Sequence, residues 1–371
     1  MPEFVFAADS RTLTGHGVRR TFATTDEAVS ALRDDATNGA AVVGALPFHT
    51  HETPALFIPE RLDADDDPPA PSPTEGIPAV TAITEDPGAE EHARRITRAV
   101  ADIRRGALSK IVLSRKLTFR MSGIVDPELL LSRFLAGAAE VQGHLVDLSA
   151  AGAANRGRTL VGSSPELLVR KRGLRVESHP LAGTAPRSED PVQDAARATE
   201  LLLSAKDLDE HAFVTDEIRR ILTPHCTTLE VPRKPSLTRT SYAWHLGTPI
   251  RGTLRDPATS ALELAVALHP TPAVAGYPTQ RAVELLEGCE ASRGFYGGAV
   301  GWTGPGGDGE WRVTIRSAVV DAGGRTVFAH AGGGVVADSD PAAEVRETRT
   351  KFGPVFGALG ITETRRKHNA P

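Results

Sequence analysis

Cysteine is scarce in this chain, and its scarcity excludes several classes of protein. Cys226 and Cys289 are the only two cysteines among 371 residues, which leaves neither a disulfide framework nor a cysteine-based zinc cluster. Aromatic residues make up only 5% of the chain and the formal net charge is −5. A basic stripe interleaved with aromatic residues is therefore missing, and no nucleic-acid partner is expected. A reducing cytoplasm is the expected compartment.

Long hydrophobic runs are also missing. The longest apolar stretches, such as residues 262–268, are far too short to cross a bilayer. The first residues, Met1 to Phe4, lack the basic start and apolar core of a signal peptide. No membrane partner is expected. A composition of 40% hydrophobic and 24% charged residues is typical of a globular protein, and the length allows one large domain or two smaller ones.

A stretch rich in proline and acidic residues, 62–78, predicts an exposed loop between an amino-terminal part and the rest. Periodicity and helix-breaking residues predict a mixed α+β fold, because helices and strands do not alternate regularly enough for a doubly wound sheet. The amino-terminal strands are expected to pair into the same sheets as the others. The predicted strands are 4–7, 40–46, 55–58, 110–115, 145–149, 159–161, 167–170, 175–179, 297–302, 311–320 and 326–331. The predicted helices are 86–105, 127–136, 191–222 and one that begins near Pro341.

Two segments near opposite ends of the chain carry the same pair of acids. Asp207 and Glu210 stand three residues apart, as do Glu344 and Glu347. In a helix this spacing places both carboxylates on one face, where like charges repel, so a positive group is expected between them. Carboxylates that face one another across a pocket are hard oxygen ligands suited to Mg²⁺. The pattern favours a metal-dependent enzyme.

Two further residues are candidates for acid–base chemistry, each with a simpler alternative. Lys110 begins an apolar strand, and it is either the solvated end of that strand or a buried amine that acts as a general base. Glu166 follows a Ser-Ser-Pro turn and precedes leucines. It is either a surface acid or a desolvated general acid with a raised pKa.

Other segments predict anion binding less specifically. The small-residue segments 181–185 and 331–336 are predicted loops whose backbone N–H groups can approach an anion. Strand alternation places Arg316 on one face with Arg312 and Thr314, either to grip a carboxylate or as part of a solvated face. His245 is more typical of a hydrogen-bonded core histidine than of a catalytic one.

Together and in this order, these segments resemble the chorismate-utilising enzymes, which include isochorismate, anthranilate, aminodeoxychorismate and salicylate synthases. The resemblance covers about residues 90–360, whereas residues 1–80 match only diffusely. It rests on Lys110-Ile-Val-Leu-Ser-Arg, Ser164-Pro-Glu-Leu-Leu, Pro180-Leu-Ala-Gly-Thr-Ala, Lys206-Asp-x-x-Glu-His, Trp244-His-Leu, His269-Pro-Thr-Pro-Ala, Gly297-Gly-Ala-Val-Gly-Trp, Val313-Thr-Ile-Arg, Ala331-Gly-Gly-Gly-Val-Val and Glu344-x-x-Glu-Thr.

The resemblance implies a single chorismate-binding domain over residues 1–371, with two large, mostly antiparallel sheets packed as a sandwich and flanked by helices. It also implies a monomer that binds chorismate and Mg²⁺ in a deep cleft, without a glutamine amidotransferase subunit.

Motif matching also implies roles for individual residues. Glu210 and Glu347 would bind Mg²⁺ directly, with Asp207 and Glu344 holding its water, and the metal would meet the C1 carboxylate of the ring. Lys110 would activate water for attack at C2, and Glu166 would protonate the departing C4 hydroxyl. The enolpyruvyl carboxylate would be received by Arg316, Gly332, Gly334 and Lys351, and the pocket near the ring would be shaped by His245, Gly183 and Thr184.

The residues near the expected nucleophile favour water. Ammonia-using relatives and salicylate synthases generally have threonine at the position of Ala273, and the ammonia users have lysine at that of Thr279. The resemblance therefore implies an isomerase, isochorismate synthase, which would supply siderophore, salicylate or quinone synthesis. Tyr296 stands where salicylate synthases often have tyrosine, so salicylate synthase, which also eliminates pyruvate, is the alternative. A binding subunit without activity and a nicotinamide enzyme built on the glycine triplet are weaker alternatives.

Overall fold

The sandwich is formed by two large sheets whose strand pairings are all antiparallel. The computed structural model describes residues 1–9, 11–34, 39–66, 76–138 and 142–361. The strands are β1 Phe4–Ala8, β2 Arg11–His16, β3 Arg20–Phe22, β4 Val42–Leu46, β5 Ala55–Ile58, β6 Arg61–Asp65, β7 Val80–Asp86, β8 Lys110–Met121, β9 Gln142–Asp147, β10 Thr159–Gly162, β11 Leu167–Arg172, β12 Arg175–His179, β13 Leu181–Pro186, β14 Cys226–Glu230, β15 Ser236–Arg239, β16 Ala243–Gly247, β17 Ile250–Leu254, β18 Gly276–Tyr277, β19 Ala299–Thr303, β20 Gly309–Val313, β21 Ser317–Val320 and β22 Thr326–Val335.

The first sheet has the order β18-β8-β22-β21-β10-β9-β1-β2-β6, and β7 also pairs with β8. The second has the order β14-β17-β12-β11-β20-β19-β4-β5-β3, and a small third sheet is β13-β16-β15. The amino-terminal strands do enter both large sheets, since β1 pairs with β9 and β4 pairs with β19.

Helices cover the outer faces of the sandwich. They are α1 Thr25–Arg33, α2 Ala89–Arg104, α3 Pro127–Ala136, α4 Pro191–Leu203, α5 Ala205–Leu222, α6 Ala261–Leu268, α7 Thr279–Cys289, α8 Pro341–Lys351 and α9 Gly353–Ala358. The core between the two sheets contains Phe4 and Phe6 of β1 together with Val43 of β4 and Val300 of β19. The predicted α+β sandwich with flanking helices is thus confirmed. Among the described residues, no helix has the length and apolar character needed to cross a membrane.

The predicted helix 191–222 is wrong in one respect, because it consists of two helices. Ser204 adopts an extended backbone (φ −70°, ψ 109°) and ends α4. Its hydroxyl then accepts a hydrogen bond from the Asp207 N–H at 3.2 Å, which caps α5. The break places Asp207 in the first turn of a new helix.

Both predicted small-residue loops are strands. The segment 181–185 belongs to β13, where the pairing with β16 shifts at Gly183 (φ +78°), and Gly332 to Val335 form the end of β22. The predicted strand 311–320 is interrupted, since β20 ends at Val313 and Arg316 has a positive φ of 54°. The first part of the predicted loop 62–78 pairs with β2 as strand β6, and residues 67–75 lie outside the described residues.

Candidate active site

A buried cavity lies where the end of β22 meets β13, β16 and the first turns of α5. Eleven of the predicted site residues line it: Glu166, Gly183, Thr184, Glu210, His245, Ala273, Tyr296, Arg316, Gly332, Gly334 and Lys351. The other four, Lys110, Asp207, Glu344 and Glu347, lie against that lining. The fold thus brings the predicted residues together from distant parts of the chain.

The two acid pairs lie on helices that face the end of β22. Asp207 and Glu210 are on α5, and Glu344 and Glu347 are on α8. The positive groups expected beside them are lysines. The ion pairs are Lys110–Glu210 at 3.1 Å, Lys206–Glu344 at 2.6 Å and Lys351–Glu347 at 2.5 Å. Each helix contributes a lysine as well as two acids, and Lys110 adds a third lysine. The four acids and three lysines, the acid–lysine cluster, are therefore nearly balanced in formal charge without a metal.

The glycine triplet of β22 allows the acids to approach the backbone. A Cβ atom on Gly334 would lie 2.0 Å from Glu210 Oε1, which is far inside van der Waals contact. A Cβ atom on Gly333 would lie 3.1 Å from Glu344 Oε2. The triplet is therefore a strand without side chains against which acids from two helices pack, rather than a flexible loop.

Burial and charge act in opposite directions on these acids. Burial alone would raise the pKa of Glu210, but attraction to Lys110, Lys206 and Lys351 outweighs it and lowers that pKa. For Glu344, burial and repulsion from Glu347 raise the pKa to about 7 despite the partner Lys206. Near neutral pH, Glu210 is therefore ionised, whereas Glu344 is close to the midpoint of its protonation.

The donor set of this cluster fits a hard divalent cation. Glu344 Oε2 is buried and has no hydrogen-bond partner in the described part of the chain, so one carboxylate oxygen is left unsatisfied. Mg²⁺ is usually held by one or two carboxylates, with water and substrate oxygens completing its shell. Among residues in the described ranges, no three of these acids bring one oxygen each within 4.8 Å of one another. Direct ligation by these side chains as they stand in the described ranges would therefore involve fewer than three carboxylates.

Glu166 is desolvated, so the interpretation as a surface acid is wrong. Its side chain is only 3% exposed, and burial raises its pKa to about 7, against the lowering effects of the Leu181 backbone and Lys110. The turn before it is fixed because the Ser164 hydroxyl donates to the Val313 carbonyl at 2.6 Å. A carboxyl group held in the cavity at this pKa is suited to general acid catalysis near neutral pH.

Lys110 is fully buried, at 0% exposure, so the interpretation as a solvated strand end is also wrong. It is the first residue of β8, and its ammonium group contacts Glu210 rather than the cavity. Action as a base therefore requires the ammonium group to pass its proton to a neighbour and its contact with Glu210 to open.

His245 and Arg316 form a connected pair in the lining of the cavity. Arg316 Nη2 lies 3.4 Å from His245 Nε2, and the other ring nitrogen, Nδ1, lies 3.1 Å from Thr184 Oγ1. Because a guanidinium group can only donate, Nε2 is the acceptor and Nδ1 carries the proton. Burial, followed by repulsion from Arg316 and Lys351, holds the pKa of His245 well below its usual value. The ring is therefore neutral and orients its neighbours.

Arg316 and Lys351 give the cavity a positive end. The Nη1 group of Arg316 donates to the Lys351 carbonyl at 3.3 Å, and Lys351 Nζ donates to the Gly332 carbonyl at 3.0 Å. The left-handed backbone of Arg316 is unusual for a residue with a side chain, and such strain is concentrated at functional sites. Two cations beside a strand of glycines suit a carboxylate, and one of them, Lys351, also pairs with Glu347.

Several contributors to the site were not predicted as site residues. His330 lines the cavity and stacks on Tyr296 with ring centroids 5.3 Å apart. Lys206 pairs with Glu344, and the Ser339 hydroxyl donates to the same carboxylate at 2.8 Å. Lys206 was detectable in the sequence, because it stands directly before the first acid pair, where a positive charge is required. His330 and Ser339 carry no comparable signal.

Comparisons with known proteins agree on one family. The sequence model described as chorismate binding enzyme matches residues 59–360. The chain is 43% identical over 364 residues to the Mycobacterium tuberculosis protein named "Putative isochorismate synthase MenF", covering 98% of this chain and 97% of that protein. It is 42% identical over 344 residues to "Isochorismate synthase DhbC" of Bacillus subtilis, covering 90% of this chain and 84% of that one.

A solved structure extends the likeness to the whole fold. It is the Bacillus anthracis protein described as "putative 2,3-dihydroxybenzoate-specific isochorismate synthase, DhbC", which superposes with a TM-score of 0.88 at 39% identity. The match covers 97% of this chain and 96% of that chain. The likeness therefore includes the amino-terminal strands, which the sequence motifs alone match only diffusely.

Proposed function

Because the chain belongs to the chorismate binding enzyme family, we propose that it is an isochorismate synthase. In this reaction water forms a new C–O bond at C2 of chorismate, the ring double bonds shift, and the C4 hydroxyl leaves as water. Substrate and product have the same composition, so the enzyme is an isomerase. The observation that carries the proposal is the desolvated Glu166, with a pKa of about 7, in the same cavity as the acid–lysine cluster and the Arg316–Lys351 cations.

The two carboxylates of chorismate would be held by neighbouring parts of the cavity, which meet at the Lys351–Glu347 ion pair. The enolpyruvyl carboxylate suits Arg316, Lys351 and the backbone of Gly332 and Gly334, because these groups supply the positive end. The ring carboxylate would face the acid cluster through Mg²⁺, bound directly by Glu210 and Glu347, with Asp207 and Glu344 holding its water. When bound, the ion would neutralise the ring carboxylate beside these acids.

Lys110 and Glu166 would move the protons. Lys110 would first pass its own proton to a neighbouring group as its contact with Glu210 opens, and the neutral amine would then take a proton from the attacking water. Glu166 would give its proton to the C4 oxygen as that bond breaks. His245, held neutral, would orient Arg316 and pack near the ring with Thr184 and Gly183. Ala273 leaves this wall without the hydroxyl of a threonine, which supports water rather than ammonia as nucleophile.

Product identification tests the proposal. Purified protein with chorismate and Mg²⁺ should yield isochorismate without pyruvate, as measured by chromatography of the reaction. Formation of salicylate with pyruvate would favour the alternative that Tyr296 raised, and a requirement for ammonium would contradict the role given to Ala273. No turnover despite Mg²⁺-dependent chorismate binding would support a binding subunit.

The metal proposal has a separate test. Chelation with EDTA should abolish activity, and added Mg²⁺ should restore it. Glu347→Gln should raise the Mg²⁺ concentration for half-maximal rate about tenfold or more, because an amide replaces an anionic ligand. Glu284→Gln, on the exposed side of α7, is the matched control and should behave as the wild type. Equal Mg²⁺ dependence in Glu347→Gln would remove this residue from the metal site.

The proposal includes a monomer in the cytoplasm. Cys226 and Cys289 are both free thiols in the structure, which suits a reducing compartment. Sedimentation of the full chain as a single species of about the chain mass of 39.3 kDa is the expected result for a monomer.

A further inference from the structure

A second cluster of metal-ligating side chains lies outside the active site, between the β4–β5 loop and α7. It contains His49 and His51 of the loop and Glu287 of the helix, and their ligand atoms all lie within 4.8 Å of one another. His49 Nδ1 is 3.2 Å and His51 Nδ1 is 3.9 Å from Glu287 Oε1. Two ligands of a tetrahedral ion are separated by about 3.3 Å, so small side-chain shifts would close this set on one ion.

His49 is the residue that indicates a ligand. It is 8% exposed, and its buried Nδ1 atom makes no hydrogen bond within the described ranges. The nearby Glu287 oxygen is at ion-pair distance, but no hydrogen bond joins the two groups. A buried imidazole nitrogen that faces a carboxylate and a second imidazole without a hydrogen bond is suited to bind a metal ion.

The backbone that carries His49 is firmly held. The preceding residue, Phe48, is fully buried, and its N–H donates to the Gly294 carbonyl at 2.7 Å. His269 Nε2 lies 2.8 Å from the Pro47 carbonyl and 3.1 Å from that of Phe48. One ligand is therefore fixed in advance, while the other two are more exposed and free to adjust.

We propose that His49 Nδ1, His51 Nδ1 and the Glu287 carboxylate form a binding site for a first-row transition-metal ion such as Zn²⁺. Two imidazoles and one carboxylate are the ligands that these ions prefer, whereas Mg²⁺ prefers an all-oxygen shell. Three protein ligands leave a fourth position for water, because His51 and Glu287 border solvent. A bound ion would join the β4–β5 loop to α7 and stabilise that contact. This site does not depend on the proposed reaction.

The experiment uses the full chain without a histidine tag, in saturating Mg²⁺ so that the acid cluster is occupied. Zn²⁺ is titrated against a chromogenic chelator, and Co²⁺ is added separately to record its visible spectrum. The wild type should bind one Zn²⁺ per chain, unfold at a higher temperature with it, and give the intense Co²⁺ bands of a four-coordinate site.

His51→Gln is the informative variant, because this side chain is 71% exposed and its replacement leaves the fold intact. It should weaken Zn²⁺ binding about tenfold or more and remove the Co²⁺ bands. His16→Gln, which changes another partly exposed histidine beside a single acid, should bind Zn²⁺ as the wild type does. No Zn²⁺ uptake by the wild type in the presence of Mg²⁺, or equal affinity in His51→Gln, would overturn the proposal.

Discussion

At the scale of single residues, burial gives Glu166 its chemistry. The rise of its pKa from 4.5 to about 7 means that the folded protein binds its proton more tightly than the unfolded chain does. The free energy of unfolding therefore falls as the pH rises through this window, by about 3 kcal/mol in total. Above the window the protein is less stable, because it contains a buried charge that the unfolded chain exposes to water.

Glu166→Gln separates catalysis from stability. Without an acidic proton, isochorismate formation should fall about 100-fold or more. The same variant should be more stable than the wild type at pH 8, since no buried charge forms, and this gain should shrink as the pH is lowered toward 5. Wild-type activity should itself decline above about pH 7. Glu177→Gln in β12, outside the cavity, is the control for both assays, and full activity in Glu166→Gln would refute the assignment.

Lys110 differs from Glu166 because its replacement removes the cation that contacts the buried Glu210 carboxylate. Lys110→Ala should abolish turnover but should also destabilise the fold, by up to about 3–5 kcal/mol, since Glu210 loses the cation in contact with it and keeps only the attraction of Lys206 and Lys351. Lys110→Gln can still donate to Glu210 and should be the more stable of the two. Both should bind chorismate within a few-fold of the wild type, because a base acts in the transition state. Activity retained in Lys110→Gln would show that another group takes the proton.

At the scale of elements, the end of β22 consists of glycines because the acids of α5 and α8 occupy the space that side chains would need. Gly334→Ala would place a methyl group 2.0 Å from Glu210 Oε1, so Glu210 must move and its contact with Lys110 must change. We expect most activity to be lost and the remaining activity to require a higher Mg²⁺ concentration. Product formation over a Mg²⁺ titration measures both effects. Gly288→Ala in α7 meets nothing within 4 Å and should be slightly stabilising with normal activity. Normal kinetics for Gly334→Ala would mean that Glu210 is not held there.

Element boundaries show which parts of the structure could be predicted from local sequence. Strand β8 and helix α3 follow from apolar periodicity and a first-turn proline, and both are present. The glycine triplet alone predicts a loop, but it forms a strand because its backbone pairs with residues 112–114 of β8, which are far away in the chain. Arg316 broke the expected alternation for a related reason, since its left-handed backbone is held by contacts with Lys351 and Ser163.

At the scale of the whole molecule, strand order was the property that local patterns left open. Resemblance to a known family supplied the sandwich and the grouping of the two acid pairs, whereas composition gave only a mixed α+β class. The pairing of β8 with β22, which unites Lys110 and the glycine triplet, joins segments from opposite ends of the catalytic part. No periodicity within either strand specifies that partner.

Whether the fold requires the amino-terminal strands can be tested by experiment. Strand β1 lies between β9 and β2, and β4 lies between β19 and β5, so both are interior strands. A chain of residues 76–371 would expose the edges of β9 and β19 and lose Phe4, Phe6 and Val43 from the core between the sheets. We expect it to aggregate and to show no cooperative unfolding by circular dichroism. Co-expression with residues 1–66 as a separate chain should restore folded protein, and a stable, active 76–371 fragment would show that the catalytic core folds by itself.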